Sequence, residues 1–87
     1  MNQNILFPDL QKVDTEKRAV RFDAQQAGSL IACFISIADL EKRERVVLET
    51  EEAILAAFNG NRFDLEELAE EAIEEEDFNT CGEIWVR

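Results

Sequence analysis

Two cysteines and a run of carboxylates are the side chains in this 87-residue chain with the types to do chemistry. Cys33 and Cys81 lie far apart, with no CxxC spacing and no histidine anywhere. That pattern indicates neither a zinc site nor a disulfide framework, and both residues read as reduced thiols. Cys33 sits in an apolar stretch expected to be a buried strand and lacks a histidine to deprotonate it, so it reads as a small hydrophobe. Cys81, beside Gly82 in a loop, is the more accessible thiol. Between Asp64 and Asp77 stand nine acidic residues and no basic one. Glu66, Glu70 and Glu74 form one row at i, i+4 spacing; Glu67, Glu71 and Glu75 form the next. Such rows carry the hard oxygen ligands that Ca²⁺ takes, but a single exposed helix face cannot surround an ion, so a solvated face is the simpler reading. Acid–base catalysis needs a pocket that drives two carboxyl pKa values apart, and a water-facing row offers none. The chain also has no histidine and no tyrosine, the commonest general base and a frequent proton donor. With no Gly-rich phosphate loop either, the expectation is a protein that is not an enzyme and holds no cofactor or metal.

Charge narrows the partners. The net charge is −11, and residues 46–87 carry two basic and thirteen acidic side chains against seven of each in residues 1–45. Nucleic-acid affinity rests largely on cations that displace counterions from phosphate, so direct DNA or RNA binding is disfavoured, as is docking on anionic lipid. Met1 is followed by Asn-Gln-Asn rather than a basic run and an apolar region. No apolar stretch approaches the ~20 residues needed to span a bilayer. A cytoplasmic chain forming one domain, residues 1–87, is expected.

The elements that position these residues follow from periodicity. Ile54, Phe58, Leu65, Leu68, Ala69, Ala72 and Ile73 keep a 3.6-residue rhythm across Asn59-Gly60-Asn61, which predicts one continuous helix from Thr50, its N-cap, to Asp77. Gly60 inside it costs about 1 kcal/mol relative to alanine, which a buried stripe offsets. Val20, Phe22 and Ala24 alternate with Arg21 and Asp23 as a half-buried strand, 17–24. A loop at Gln25-Gln26-Ala27-Gly28 leads into a strand over 29–35 that is apolar on both faces and therefore central. Ile5-Leu6-Phe7 before Pro8 reads as a short extended segment at a sheet edge. Ser36 and Asp39 have capping-box spacing for a short helix to about Arg45. Val46-Val47-Leu48 is a connector packing on the long helix, and Glu83 to Arg87 alternates as a final strand. The fold class is α+β: a small, mostly antiparallel sheet, made of a hairpin, a C-terminal strand and an N-terminal edge strand, packed by one short and one long helix in the order ββααβ.

Phe7-Pro8-Asp9, Arg18-Ala19-Val20-Arg21-Phe22, the Gly28 turn and Ile31-Ala32-Cys33-Phe34-Ile35-Ser36, taken in order and spacing, resemble the bacterial family called domain of unknown function 1488. The likeness runs through most of the chain, with Phe58, Arg62 and the closing strand in matching places. It implies a double-split β-α-β type of α+β fold and supplies no established activity. The acidic 64–77 segment departs from the family pattern, in which basic residues are expected there.

Helices on the sheet face that carries Val20, Phe22, Ile84 and Val86 would leave Leu30, Ala32, Phe34 and Trp85 either facing water, a patch that suits a protein partner or a second copy, or covered by the short helix or the N-terminal segment. The surface expected to meet a partner is therefore Leu30, Phe34 and Trp85, with Glu67, Glu70, Glu71 and Glu74 on the acidic helix. A non-catalytic interaction or regulatory module is the first reading. An acidic decoy helix that occupies a basic or nucleic-acid-binding protein is the alternative; an enzyme or metal-binding protein comes third.

Overall fold

A computed structural model describes residues 4–87. Chain order is β1 (Ile5–Leu6), β2 (Lys12–Asp14), β3 (Ala19–Gln26), β4 (Ser29–Ser36), α1 (Ile37–Glu44), α2 (Glu51–Gly60), α3 (Arg62–Glu74) and β5 (Ile84–Val86). The α+β class stands, with five strands and three helices where the sequence predicts a hairpin, a C-terminal strand, an N-terminal edge strand and two helices; β2 and the division of the long helix are the additions.

β3 and β4 form the hairpin at the centre. Gln26 pairs with Ser29, so the turn is two residues, Ala27 and Gly28, both at positive φ (52° and 83°). This is the geometry whose twist matches the flanking strands, and it keeps Gln25 and Gln26 in β3 rather than in the loop. β1 and β2 both pair antiparallel with β3, at its opposite ends, while β5 runs parallel to β4 on the other side. β4 is central, as its two apolar faces require. β2 carries a single apolar residue, Val13, and only its pairing with Ala19–Arg21 makes it a strand.

Two rows cross four strands. Val13, Val20, Ile35 and Val86 lie side by side on one face; Lys12, Arg21, Phe34 and Trp85 lie side by side on the other. The first row, with Phe22, Cys33 and Ile84, packs against Leu40 of α1, Ile54 and Phe58 of α2, and Leu65, Ala69 and Ile73 of α3 in one core. Phe22 and Phe58 meet at its centre with ring centroids 5.1 Å apart, and Phe7 covers Phe22 at 6.3 Å. Each fully buried large side chain here contributes roughly 1.5–3 kcal/mol.

The capping predictions stand. Ser36 Oγ accepts the Asp39 amide hydrogen at 3.0 Å and donates to the Asp39 carboxylate at 2.9 Å; Thr50 Oγ1 accepts from Ala53 N–H at 3.0 Å. The single long helix does not. Asn61, at φ −109° and ψ 8°, divides α2 from α3. Its amide donates to both Ala57 O and Phe58 O, and its side-chain Nδ2 donates to Ala57 O at 2.8 Å and to Glu44 at 2.7 Å. A side-chain amide thus competes with the helical ladder, as asparagine does in helix interiors. The apolar phase survives because one distorted residue, still bonded back to Ala57, rotates the stripe little, and Ile54, Phe58, Leu65, Ala69 and Ile73 are all buried. α3 also ends before Asp77: Glu76 turns left-handed (φ 57°), with Glu76 N–H on Ile73 O and Asp77 N–H on Ala72 O, a Schellman stop. Of the connector, only Leu48 packs on the core. Val46 and Val47 remain 55% and 67% exposed, because Arg45 at φ 58° ends α1 and turns the chain outward there.

Like charges at i, i+4 along α3 each cost a few tenths of a kcal/mol, and Glu74, Glu75 and Glu76 crowd the negative end of its dipole. Raising monovalent salt from low to moderate concentration should lift the melting temperature by about 4 °C. A flat or falling value in a calorimetric scan would contradict this account of α3.

Candidate functional site

All three helices pack on one face of the sheet, so no helix covers the other. Its centre is Phe34 of β4. The expectation that Phe34 meets water is overturned: it is 1% exposed. Trp85, its cross-strand neighbour on β5, stacks on it with centroids 4.8 Å apart and planes at 17°. Lys17 Nζ and the Arg21 guanidinium stand over the same ring at 5.7 and 6.0 Å, where the negative ring face attracts a cation. Register places Arg21, Phe34 and Trp85 side by side on three adjacent strands, and the turn before β3 brings Lys17 over the same ring. Trp85 itself keeps 37% exposure and Leu30, at the far end of β4, 63%.

The indole is held by a short loop. Asn79 Oδ1 accepts from the Cys81 and Glu83 amides at 2.9 and 2.8 Å, and Gly82, at φ 78°, makes the turn. Glu83 Oε1 then accepts both Trp85 Nε1–H and Asn79 Nδ2–H at 3.0 Å, and Glu83 Oε2 faces Lys17 Nζ at 3.8 Å. The hydrogen bond from Trp85, then that from Asn79, hold the Glu83 carboxyl below its usual value. Because the native state favours the ionised form, this support is present above the ordinary carboxylate pKa and is lost as pH falls through the lowered one. Trp85 fluorescence should therefore show an acid transition with a midpoint below that of an ordinary glutamate, absent from Glu83→Gln. A midpoint at or above the ordinary value counts against the Trp85–Glu83 bond.

Beside Arg21, Asp23 accepts from Nε at 2.8 Å and keeps the guanidinium firmly protonated. These two with Leu10, Gln11 and Lys12 line a cleft of about 470 Å³ on the same face. On the other flank, Leu68 and Ala72 of α3 floor a trough of about 260 Å³ that Glu71, Glu75 and Asp77 wall, with Trp85, Val86 and Arg87 along its sheet side. The structure thus joins Glu71 to Trp85. Glu67 and Glu74 are exposed outside that trough, Glu70 is half-buried, and none of these three lines it. Lys12, Lys17, Arg21, Asn79 and Glu83 were not legible as site residues. The one sequence signal for them is that Arg21 and Glu83 occupy outward positions of alternating strands.

Among the described residues no group of three or more His, Cys, Asp or Glu side chains is placed to hold a metal ion, and no helix is long and apolar enough to cross a membrane. Cys33 is buried in the core, which pushes its thiol up to about 12, whereas Cys81 is exposed. A thiol reagent at neutral pH should modify Cys81 quickly and Cys33 only in denaturant; two fast thiols per native chain would contradict the packing around Cys33. What the surface offers chemically is an oriented indole and flanking cations on one side and unneutralised carboxylates on the other.

Among known proteins, the chain is similar to the uncharacterized protein YrdB of Escherichia coli strain K12, 40% identical over 86 residues and 99% of both chains. It is 38% identical to YrdB of Shigella flexneri, again over 99% of each. The crystal structure of a protein of unknown function from the DUF1488 family of Shewanella loihica PV-4 superposes with a TM-score of 0.95 at 40% identity, over 99% of this chain and 94% of that one. The family described as protein of unknown function DUF1488 matches residues 5–86, the whole sheet and all three helices, and this chain belongs to it.

Proposed function

We propose that the chain is a non-catalytic protein-interaction module of the cytoplasm that seats a partner on the open sheet face around Trp85 and thereby regulates it. The observation that carries this reading is the composition of the outward positions of β4. A sheet with one wet face normally alternates apolar in and polar out. Here Leu30, Ala32 and Phe34 point outward, and on that face Leu6 and Leu30 are each 63% exposed. A rim of Lys12, Lys17 and Arg21 around an aromatic centre is the arrangement found at protein contacts, where Trp and Arg carry much of the binding energy.

The test is a photo-crosslinking residue at Leu30, with one at exposed Glu52 on the helical side as the control, followed by titration of the purified partner. Trp85→Ala should weaken that complex by about thirtyfold, a hot-spot loss near 2 kcal/mol. Crosslinks no denser at Leu30 than at Glu52 would sink the reading. Sedimentation as a dimer through this face would replace the unidentified partner by a second copy.

A second reading is favoured by the exposed carboxylates of α3, Glu67, Glu71 and Glu74 with half-buried Glu70. They suit an acidic helix that occupies a basic protein, and steep weakening of the complex with salt would distinguish it.

A further inference from the structure

We propose that the open edge of β5 accepts an extended, lysine- or arginine-rich segment of a partner protein as an added strand. This rests on the chain being a protein-contact module, and it names the chemistry of the partner. Among the described residues β5 is paired, strand to strand, with β4 alone. In a parallel pair alternate backbone groups turn away from the neighbour, so one margin of Ile84–Val86 is an unfilled template. That margin is bracketed: Asn79 N–H already occupies the Glu83 carbonyl at 2.9 Å and Arg43 Nη2 the Arg87 carbonyl at 3.0 Å.

Charge selects the occupant. The trough that runs along this margin has an apolar floor, Leu68 and Ala72, and the wall of Glu71, Glu75 and Asp77, three carboxylates against the single cation Arg87 on its sheet side. Among the described residues none of those three carboxylates is in an ion pair. A strand laid beside β5 alternates its side chains. Those turned toward α3 would lay a lysine stem on Leu68 and Ala72 with the ammonium among the carboxylates, and those turned outward would lie beside Trp85. A second copy suits the edge poorly, since a two-fold pairing of β5 with itself would bring both acidic walls together. A short edge and a like-charged wall both discourage self-pairing, and the wall leaves a cationic segment as the fitting strand.

The experiment uses the full ¹⁵N-labelled chain and three peptides of about nine residues, the length of an ordinary strand. One alternates lysine and valine, one alternates glutamate and valine, and the third is the lysine peptide N-methylated at every second residue. Binding is read from fluorescence of the sole tryptophan, Trp85, and from amide exchange over Ile84–Val86. The lysine peptide should saturate at concentrations about tenfold or more below the glutamate peptide. It should slow exchange of the outward amides of β5 and lose its binding on N-methylation. Glu71→Lys combined with Glu75→Lys, both on exposed positions that leave the core untouched, should invert the preference. No saturable response, equal binding of the N-methylated peptide, or protection confined to other strands would overturn the added strand. Each of those results would leave the module reading intact if Leu30 still crosslinks a partner; only loss of the Leu30 crosslink would remove that reading.

Discussion

Phe58→Ala should lower the stability of the fold by about 3–5 kcal/mol. Phe58 is fully buried at the meeting point of sheet and helices, ring to ring with Phe22 at 5.1 Å and beneath the Arg62 guanidinium at 5.4 Å. Truncating a buried phenylalanine removes its transfer energy and leaves a cavity, together about 3–5 kcal/mol. A domain of this size has a total stability of roughly 4–13 kcal/mol, so the loss takes about a quarter of it or more, and nearly all of it at the low end of that range. Urea unfolding followed by circular dichroism measures the effect. Phe63, five residues on, supplies the control: it is 86% exposed, and Phe63→Ala should change stability by no more than about 0.5 kcal/mol. Similar costs at the two positions would mean that the core does not close on Phe58.

Arg62→Ala should cost about 3 kcal/mol, unusually much for a charged residue of a small domain. Its side chain is only 14% exposed. Nε donates to Glu66 Oε2 at 2.7 Å, Nη1 to Gln11 Oε1 at 2.6 Å and Nη2 to the Pro8 carbonyl at 2.9 Å, with Asp9 at 3.7 Å. One planar fork thus ties the segment between β1 and β2 to the first turn of α3. Removing it leaves the carboxylate of Glu66, itself 20% exposed, without its counter-charge, and frees the Pro8–Gln11 backbone. Arg62→Lys should recover only a minor part, because an ammonium cannot reach three acceptors in one plane. Amide exchange at Asp9–Gln11 should accelerate in step with the lost stability. Full rescue by lysine would show that charge alone, not the fork, holds this contact.

These two residues show how differently parts of the molecule are written in the chain. Phe58 announces itself, because it lies on the stripe with Ile54, Leu65, Ala69 and Ile73, and spacing along one helix is a local property. The same holds for the caps Ser36 and Thr50, for the alternation of Val20, Phe22 and Ala24, and for the apolar β4 that had to be central. Arg62 announces nothing, since Gln11 and Pro8 lie 51 and 54 positions away. The break at Asn61 was hidden for a related reason: apolar phase reports which way side chains point and is indifferent to one distorted backbone angle between them.

The candidate site divides along the same line. From the order of its residues alone, this chain determines its α+β class, the inward set of strand and helix residues, the outward placement of Leu30, Phe34 and Trp85, and the acidic face of the last helix. Tertiary structure alone decided that β5 lies parallel beside β4, that Phe34 is roofed by Trp85, Lys17 and Arg21, and that Glu71 but not Glu67, Glu70 or Glu74 shares a trough with the indole. Periodicity is set by neighbours a few bonds apart, where backbone geometry leaves two repeats to choose from. Register between distant strands is set by how a whole core closes, and no short stretch of chain carries that information.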